Sequence, residues 1–474
     1  MTQLALAEFH PFEAAGRRYL YLVPSAAVFG LDEASGAVLD TLAESPRSAS
    51  EVATALSGRF AESVVQQTIV ELAGARAIRS VMAPAPAPAV PKPVRRIPLQ
   101  TIVLNVTSKC NLACTYCYEY GEDKIKEAAA NPLPRFMSEE TARQSVDFAF
   151  GEAGESKHVH VTFFGGETLL NAKVLRSTVT YAREQALVLG KTVDFSLTTN
   201  ATLITEEIID WLVENDVGVT VSIDGPKQSQ DRFRVFHNGK GSYEVVLPRI
   251  KALLARHNRR PVGARVTLTK QNLEVVEIYR HLVDEIGFRE VGFAPVTTSW
   301  QRDWAIEGSG YERMLEQFDT LAFEFRDSIV AGRHHGFSNV RDTLQEIHKG
   351  MSKAYPCGAG FGLLGVATDG DVSLCHRFAG SPEHELGSVS KGLNRDMQQA
   401  FLERHHVDLK TDCSVCWARP ICAGGCYHEA HTRYGDTAEP NLHYCTWIRH
   451  WTDTCLRIYG ELAERRPDYL EHLA

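Results

Sequence analysis

Short apolar runs alternate with longer amphipathic stretches between residues 100 and 295. The runs are QTIVLNVT (100–107), HVHVTFF (158–164), TVDFSLT (192–198), VGVTVSI (217–223), VGARVTL (262–268) and REVGFAP (289–295). Their length and β-branched content suit strands, while apolar residues between them recur at helical spacing. Ser138 precedes Glu139 and Glu140, and Thr205 precedes Glu206 and Glu207. Both sites read as N-caps with acidic first turns that complement the helix dipole. Repeated βα units predict an α/β fold with a parallel sheet, either a six-unit partial barrel or an open doubly wound sheet. In either, reactive groups gather at the carboxyl ends of the strands.

The flanks follow other patterns. Within residues 1–81, RRYLYLVP and AAVFGL suggest two strands, and DEASGAVLDTLAE, SASEVATALSGRF and ESVVQQTIVELAGARA suggest three helices. Alternating Ala and Pro across 82–97 favour an extended tether. The βα block then occupies 98–310, a helical bridge 311–356, and a Cys-, Gly- and His-rich region 357–474. The last has few long periodic segments, which points to a metal holding it together.

Composition narrows the function. The 474 residues imply two or three domains. No apolar run is long enough for a membrane span, and the first residues lack a basic segment followed by an apolar one. A cytoplasmic protein with no membrane partner is expected. A net charge of −9 argues against a nucleic-acid partner, and the basic run ARHNRR (255–260) reads as a solvated helix end. Ten of the eleven cysteines fall into two groups. In a reducing compartment such clusters signal metal or redox chemistry rather than disulfides.

Cys110, Cys114 and Cys117 follow the first βα strand with spacing C-x3-C-x2-C. Three thiolates can hold three irons of a [4Fe–4S] cluster and leave the fourth open. Tyr116 supplies a ring beside them. This segment resembles the signature of the radical S-adenosylmethionine (SAM) superfamily, whose core is a partial (β/α)6 TIM barrel. The resemblance implies that Gly165, Gly166 and Glu167 hold the SAM amino group. Asn200, Ser222 and Asp224, at later strand ends, are short polar groups suited to ribose and carboxylate contacts, and Arg234 offers a fork for the SAM carboxylate.

In the second group, VATDGDVSLC reads as a hairpin turning at Asp-Gly that folds Cys375 back towards Cys357. Cys413, Cys416, Cys422 and Cys426 follow, then Cys445. The spacing resembles the seven-cysteine motif of SPASM domains. That resemblance implies two auxiliary [4Fe–4S] clusters, one on Cys413, Cys416, Cys422 and Cys445, the other on Cys357, Cys375 and Cys426. Zinc is the structural alternative, because C-x2-C pairs also build zinc ribbons. Cys455 reads as an inert thiol, and His405, His406, His428, His431, His443 and His450 as packing or solvated residues.

The amino-terminal unit resembles a winged-helix, PqqD-type element that binds a leader peptide at a strand edge; a DNA-binding winged helix is the alternative, without a basic recognition helix. Domain order and the YPCGAG context of Cys357 resemble the maturase of quinohemoprotein amine dehydrogenase. This implies thioether bonds from Cys sulfur to Asp or Glu carbons in that enzyme's small γ-subunit, made through a 5′-deoxyadenosyl radical with electrons from a flavodoxin or ferredoxin. Asp231 is the first choice of base and Asp224 the second. Carbon–carbon crosslinking, formylglycine formation, and a zinc-stabilised peptide chaperone without catalysis are the rivals. Protein purified without oxygen is expected to carry iron and sulfide with broad visible absorption; a colourless protein would remove the cluster reading.

Overall fold

The computed structural model describes residues 2–82, 97–119 and 134–473, so nearly all of the Ala/Pro-rich tether lies outside the described residues. The first unit contains β1 (Gln3–Leu6) and an antiparallel sheet of β2 (Phe9–Ala14), β3 (Arg17–Leu22) and β4 (Ala27–Gly30). Helices α1 (Glu33–Glu44), α2 (Ala49–Leu56) and α3 (Glu62–Gly74) follow, while β5 (Arg47–Ser48) and β6 (Ile78–Ser80) pair on either side of β1. Asp32 caps α1, and Ser48 and Glu51 form a reciprocal capping box on α2. The two strands expected here are joined by four more. Three of those are too short to carry a periodic signal. The fourth, β2, contains Pro11, which is tolerated because β2 is an edge strand.

All six strands of the central block form, as β7 (Thr101–Asn105), β8 (His158–Phe164), β9 (Thr192–Thr199), β10 (Gly218–Ser222), β11 (Gly263–Leu268) and β12 (Glu290–Pro295). They are parallel and lie in sequence order. Around them pack α4 (Glu139–Ala153), α5 (Ala172–Leu189), α6 (Glu206–Glu214), α7 (Lys227–Phe233), α8 (Tyr243–Arg256) and α9 (Val275–Arg280). Ser138 and Thr205 cap α4 and α6 through their hydroxyls. On β8 the alternation is clear: Val159, Val161 and Phe163 are buried in the core, while Phe164 faces the cavity at the sheet's carboxyl end.

The bridge consists of α10 (Ser309–Val330) and α11 (Ser338–His348). Beyond it the sheet continues. β13 (Leu363–Val366) pairs parallel to β7, and β14 (Asp371–Ser373), β15 (Glu385–Ser388) and β16 (Gly392–Leu393) add antiparallel strands, giving ten in all. The hairpin at Asp369-Gly370 therefore forms, but as part of the barrel sheet. Short helices follow, α12 (Arg395–His405), α13 (Thr411–Ser414), α14 (Arg419–Cys422) and α15 (Tyr427–Tyr434), with Cys413 in α13, Cys422 in α14 and Cys426 just before α15. The long α16 (Cys445–Arg465) and short α17 (Pro467–Glu471) end the chain. No helix among the described residues is long and apolar enough to cross a membrane.

α16 ties the three parts together. Trp447 and Trp451 on α16 pack edge-on against Phe318 of α10, and Trp451 donates to Thr343 Oγ1 of α11 at 3.2 Å. Its other side receives the amino-terminal sheet. Tyr19 donates to Glu464 at 2.8 Å, and His10 reaches Asp453 at 2.7 Å while stacking on Trp417 at 3.6 Å. Gly460 permits this approach, since a Cβ there would lie 2.7 Å from that of Ala14. Gly460→Leu is therefore expected to overpack the junction by about 1–3 kcal/mol and loosen the sheet from α16. A lower Tm with faster proteolysis of residues 2–82 would bear this out; an unchanged Tm would count against it.

Candidate active site

The strand ends of the barrel converge on a cavity of about 550 Å³. Its wall includes Cys110, Cys114 and Cys117, which emerge from the loop after β7. That loop is pressed onto the next strand's exit. Gly166 donates to the carbonyl of Thr107 at 3.0 Å, and Glu167 to that of Lys109 at 2.8 Å. A Cβ on Gly165 would lie 2.5 Å from Thr107 O, and one on Gly166 2.1 Å from Lys109 O. The glycines thus admit the backbone of the cysteine loop, besides lining the cavity where a ligand would approach.

Glu167 is 1% exposed and fastens the ends of β8 and β9. It accepts from Leu169 N at 3.1 Å, Thr199 Oγ1 at 2.6 Å and Asn200 N at 2.8 Å. Burial pushes its carboxyl above the usual range, against these three donors. Asn200 then turns its amide to Asn111 Oδ1 at 3.0 Å and to Cys110 Sγ at 3.7 Å. A second donor, Leu112 N–H, meets the same sulfur at 3.4 Å. Such donors favour a sulfur that carries negative charge.

Asp224 is fully buried at the end of β10. One of its oxygens accepts from Thr267 N at 3.1 Å; the other receives the Tyr116 hydroxyl and pairs with Arg234 Nε at 3.0 Å. Burial opposes the charge on Arg234, but Asp224 beside it holds its pKa above the ordinary value. Arg234, Tyr116 and Ser222 all line the cavity. Asp224 therefore orients Tyr116 and Arg234, and its acceptors are already used, which argues against its role as a base. Asp231 stands elsewhere. It lies in α7, outside the cavity wall, where it accepts from Tyr243 N at 2.8 Å and pairs with Lys227 at 3.1 Å.

Four further wall residues belong to no motif in the sequence. Tyr118 and Glu119 follow the cysteine loop, Arg265 comes from β11, and Arg377 from beyond β14. The Arg265 side chain makes no hydrogen bond or ion pair among the described residues. Burial and the neighbouring Arg377 both weaken its hold on a proton. Arg377 donates to Thr297 Oγ1 at 3.0 Å and stacks over Tyr118 at 4.6 Å. Both arginines stand in one cavity wall with Arg234 and Arg341, and with Glu119, Glu167 and Glu290.

The later cysteines sort into two places. Cys413, Cys416, Cys422 and Cys445 line a cavity of about 180 Å³. Cys357, Cys375 and Cys426 are close enough to act electrostatically on one another. Lys410, buried with its ammonium unpartnered, lies beside Cys413 and Cys422, so an anionic centre there would neutralise it. Burial pushes the Cys114, Cys375 and Cys422 thiols up to about 12, so deprotonation calls for a metal's positive charge. Among the described residues no three cysteine sulfurs gather within 4.8 Å, whereas one tetrahedral zinc would hold its thiolates about 3.8 Å apart. Ligands spread in this way suit clusters, whose thiolates sit on separate irons. Cys455 is buried in α16 without a place in either set.

Residues 104–282 match the family model described as the Radical SAM superfamily, and this part of the chain is a Radical SAM domain of α/β fold. A serine-type anaerobic sulfatase-maturating enzyme of Bacteroides thetaiotaomicron is 29% identical over 376 residues, covering 73% of this chain and 86% of the relative. The structure of anSMEcpe with bound AdoMet has a TM-score of 0.65 at 20% identity, covering 77% of this chain and 99% of that one. Streptococcus suis SuiB bound to precursor peptide SuiA has a TM-score of 0.50 at 12% identity, covering 92% and 98%. These two share the fold.

Glu167→Gln is expected to destabilise the strand-end network by about 1–3 kcal/mol, because the amide turns a donor towards groups that also donate. Denaturant unfolding should show it, and an unchanged midpoint would mean that Glu167 is not the fastener.

Proposed function

We propose that this chain is a radical SAM maturase that oxidises one side chain of a polypeptide by two electrons. The shared cavity carries the reading. Its wall joins Cys110, Cys114 and Cys117 to Cys-rich-segment residues His376 and Arg377, so a side chain entering the barrel mouth meets both halves of the machinery. Three [4Fe–4S] clusters and SAM are the cofactors of this reading. When bound, they supply hydrogen-atom abstraction from a C–H bond and a sink for the second electron.

The protein's share is placement. Arg234, steadied by Asp224, offers its guanidinium to the SAM carboxylate, with Ser222 and Asn200 nearby for polar contacts. Gly165, Gly166 and Glu167 bound the side where its amino group would lie. Loss of a hydrogen atom and an electron also frees a proton, and we assign Glu119, buried in the cavity wall, to accept it. The free edge of β4 suits β-augmentation by an extended leader peptide.

Similarity to a sulfatase-maturating enzyme favours formylglycine formation from a substrate Ser or Cys. One observation favours a second reading. Arg265 and Arg377 present guanidinium groups in the cavity wall, which suits a substrate carboxylate and hence a Cys-to-Asp/Glu thioether, as in the γ-subunit of quinohemoprotein amine dehydrogenase.

Reduced, reconstituted enzyme with SAM should distinguish the two by mass spectrometry. A Cys- or Ser-only peptide that yields a hydrazine-reactive aldehyde marks formylglycine. A peptide with Cys and Asp that loses two hydrogens and its free thiol marks the thioether. In the second case Arg265→Met should raise KM for the acidic peptide about tenfold or more. Cys114→Ala should abolish 5′-deoxyadenosine release in either case. SAM cleavage with no change in any peptide would sink the maturase reading.

A further inference from the structure

The turn between β14 and β15 meets α15, and three donors gather there. One ligand atom each from Glu383, His384 and His431 lies within 4.8 Å of the other two. His384 is 7% exposed, with Nδ1 hydrogen-bonded to Ser381 Oγ at 2.9 Å. Its ring stacks on Phe378 at 4.2 Å and stands edge-on to His431 at 4.7 Å. The hydroxyl engages one ring nitrogen and leaves the other for a metal. The side chains of Glu383 and His431 make no hydrogen bond or salt bridge among the described residues. Burial pushes the His384 imidazole down to about 4, so it is neutral, the form that ligates, near pH 7.

We propose that Glu383, His384 and His431 bind one divalent transition-metal ion, zinc above all, at a site separate from the cysteine sets. Two imidazoles and one carboxylate suit zinc, with water completing the tetrahedron. The position gives the ion a task. His384 follows the strand that leads into Cys375, and α15, which carries His431, begins directly after Cys426. Cys375 and Cys426 belong to one cysteine set. The ion therefore clamps the two segments that carry them.

The test uses the full-length, cluster-reconstituted protein and Zn²⁺ alone as probe. Calorimetric titration should find one zinc per chain, with a zinc-edge absorption spectrum showing only nitrogen and oxygen at about 2.0–2.2 Å. Glu383→Gln, an exposed change that leaves the fold intact, should weaken binding about tenfold or more. His431→Ala should abolish it while iron and sulfide content stay unchanged; if iron is lost as well, Glu383→Gln decides. Zinc should also slow amide exchange in residues 374–385 and 426–434. No bound zinc, a sulfur shell, or equal affinity in Glu383→Gln would overturn the site. Unchanged exchange on zinc binding would overturn the clamp.

Discussion

Four residue pairs between β13 and β7 organise the rest of the molecule. β13 joins the barrel sheet in parallel, and the segment after the antiparallel β14 folds back to bring His376 and Arg377 into the wall that also holds Cys110, Cys114 and Cys117. Asn105, the last residue of β7, donates to the carbonyl of His376 at 3.0 Å and fastens the junction. Without that pairing the two cysteine regions would be separate modules. With it, residues next to the second group share a wall with the first.

Charge balance follows from this closeness. Thiols buried in both regions resist ionisation, while cations without full partners stand beside them. Arg234 is compensated by Asp224, whereas the Lys410 and Arg265 side chains form no salt bridge among the described residues; Lys410 is buried, and Arg265 is exposed on the cavity wall. A buried unpaired cation is costly unless something anionic arrives. Lys410 beside Cys413 and Cys422 suits an anionic metal centre, and Arg265 in the cavity suits an anionic ligand. The protein is thus built around charges that its own chain does not supply.

Much of this was legible in residue order. The strand runs from 100 to 295 all became strands because burial on a parallel sheet demands continuous apolar, β-branched segments. Helix starts at Ser138 and Thr205 were local events of capping. Glu167 and Asn200 were found as polar residues at strand ends, though their roles as fasteners of the cysteine loop were not visible. Asp231 shows the limit. In sequence it stands near Arg234, but its helix turns the carboxylate to the start of α8, where Tyr243 N–H and Lys227 occupy it.

The sequence by itself determined which residues can hold irons and which segments form the barrel, because ligand spacing and strand patterning are local properties. It also placed the reactive groups at one end of the sheet, since βα connections run one way. Only the tertiary structure decided what shares the cavity. Arg265, Arg377 and Glu119 meet there through strand register and the parallel joining of β13 to β7. His384 and His431 meet in the same manner, from segments far apart in the chain. Contacts between distant segments are fixed by packing, and no local pattern records them.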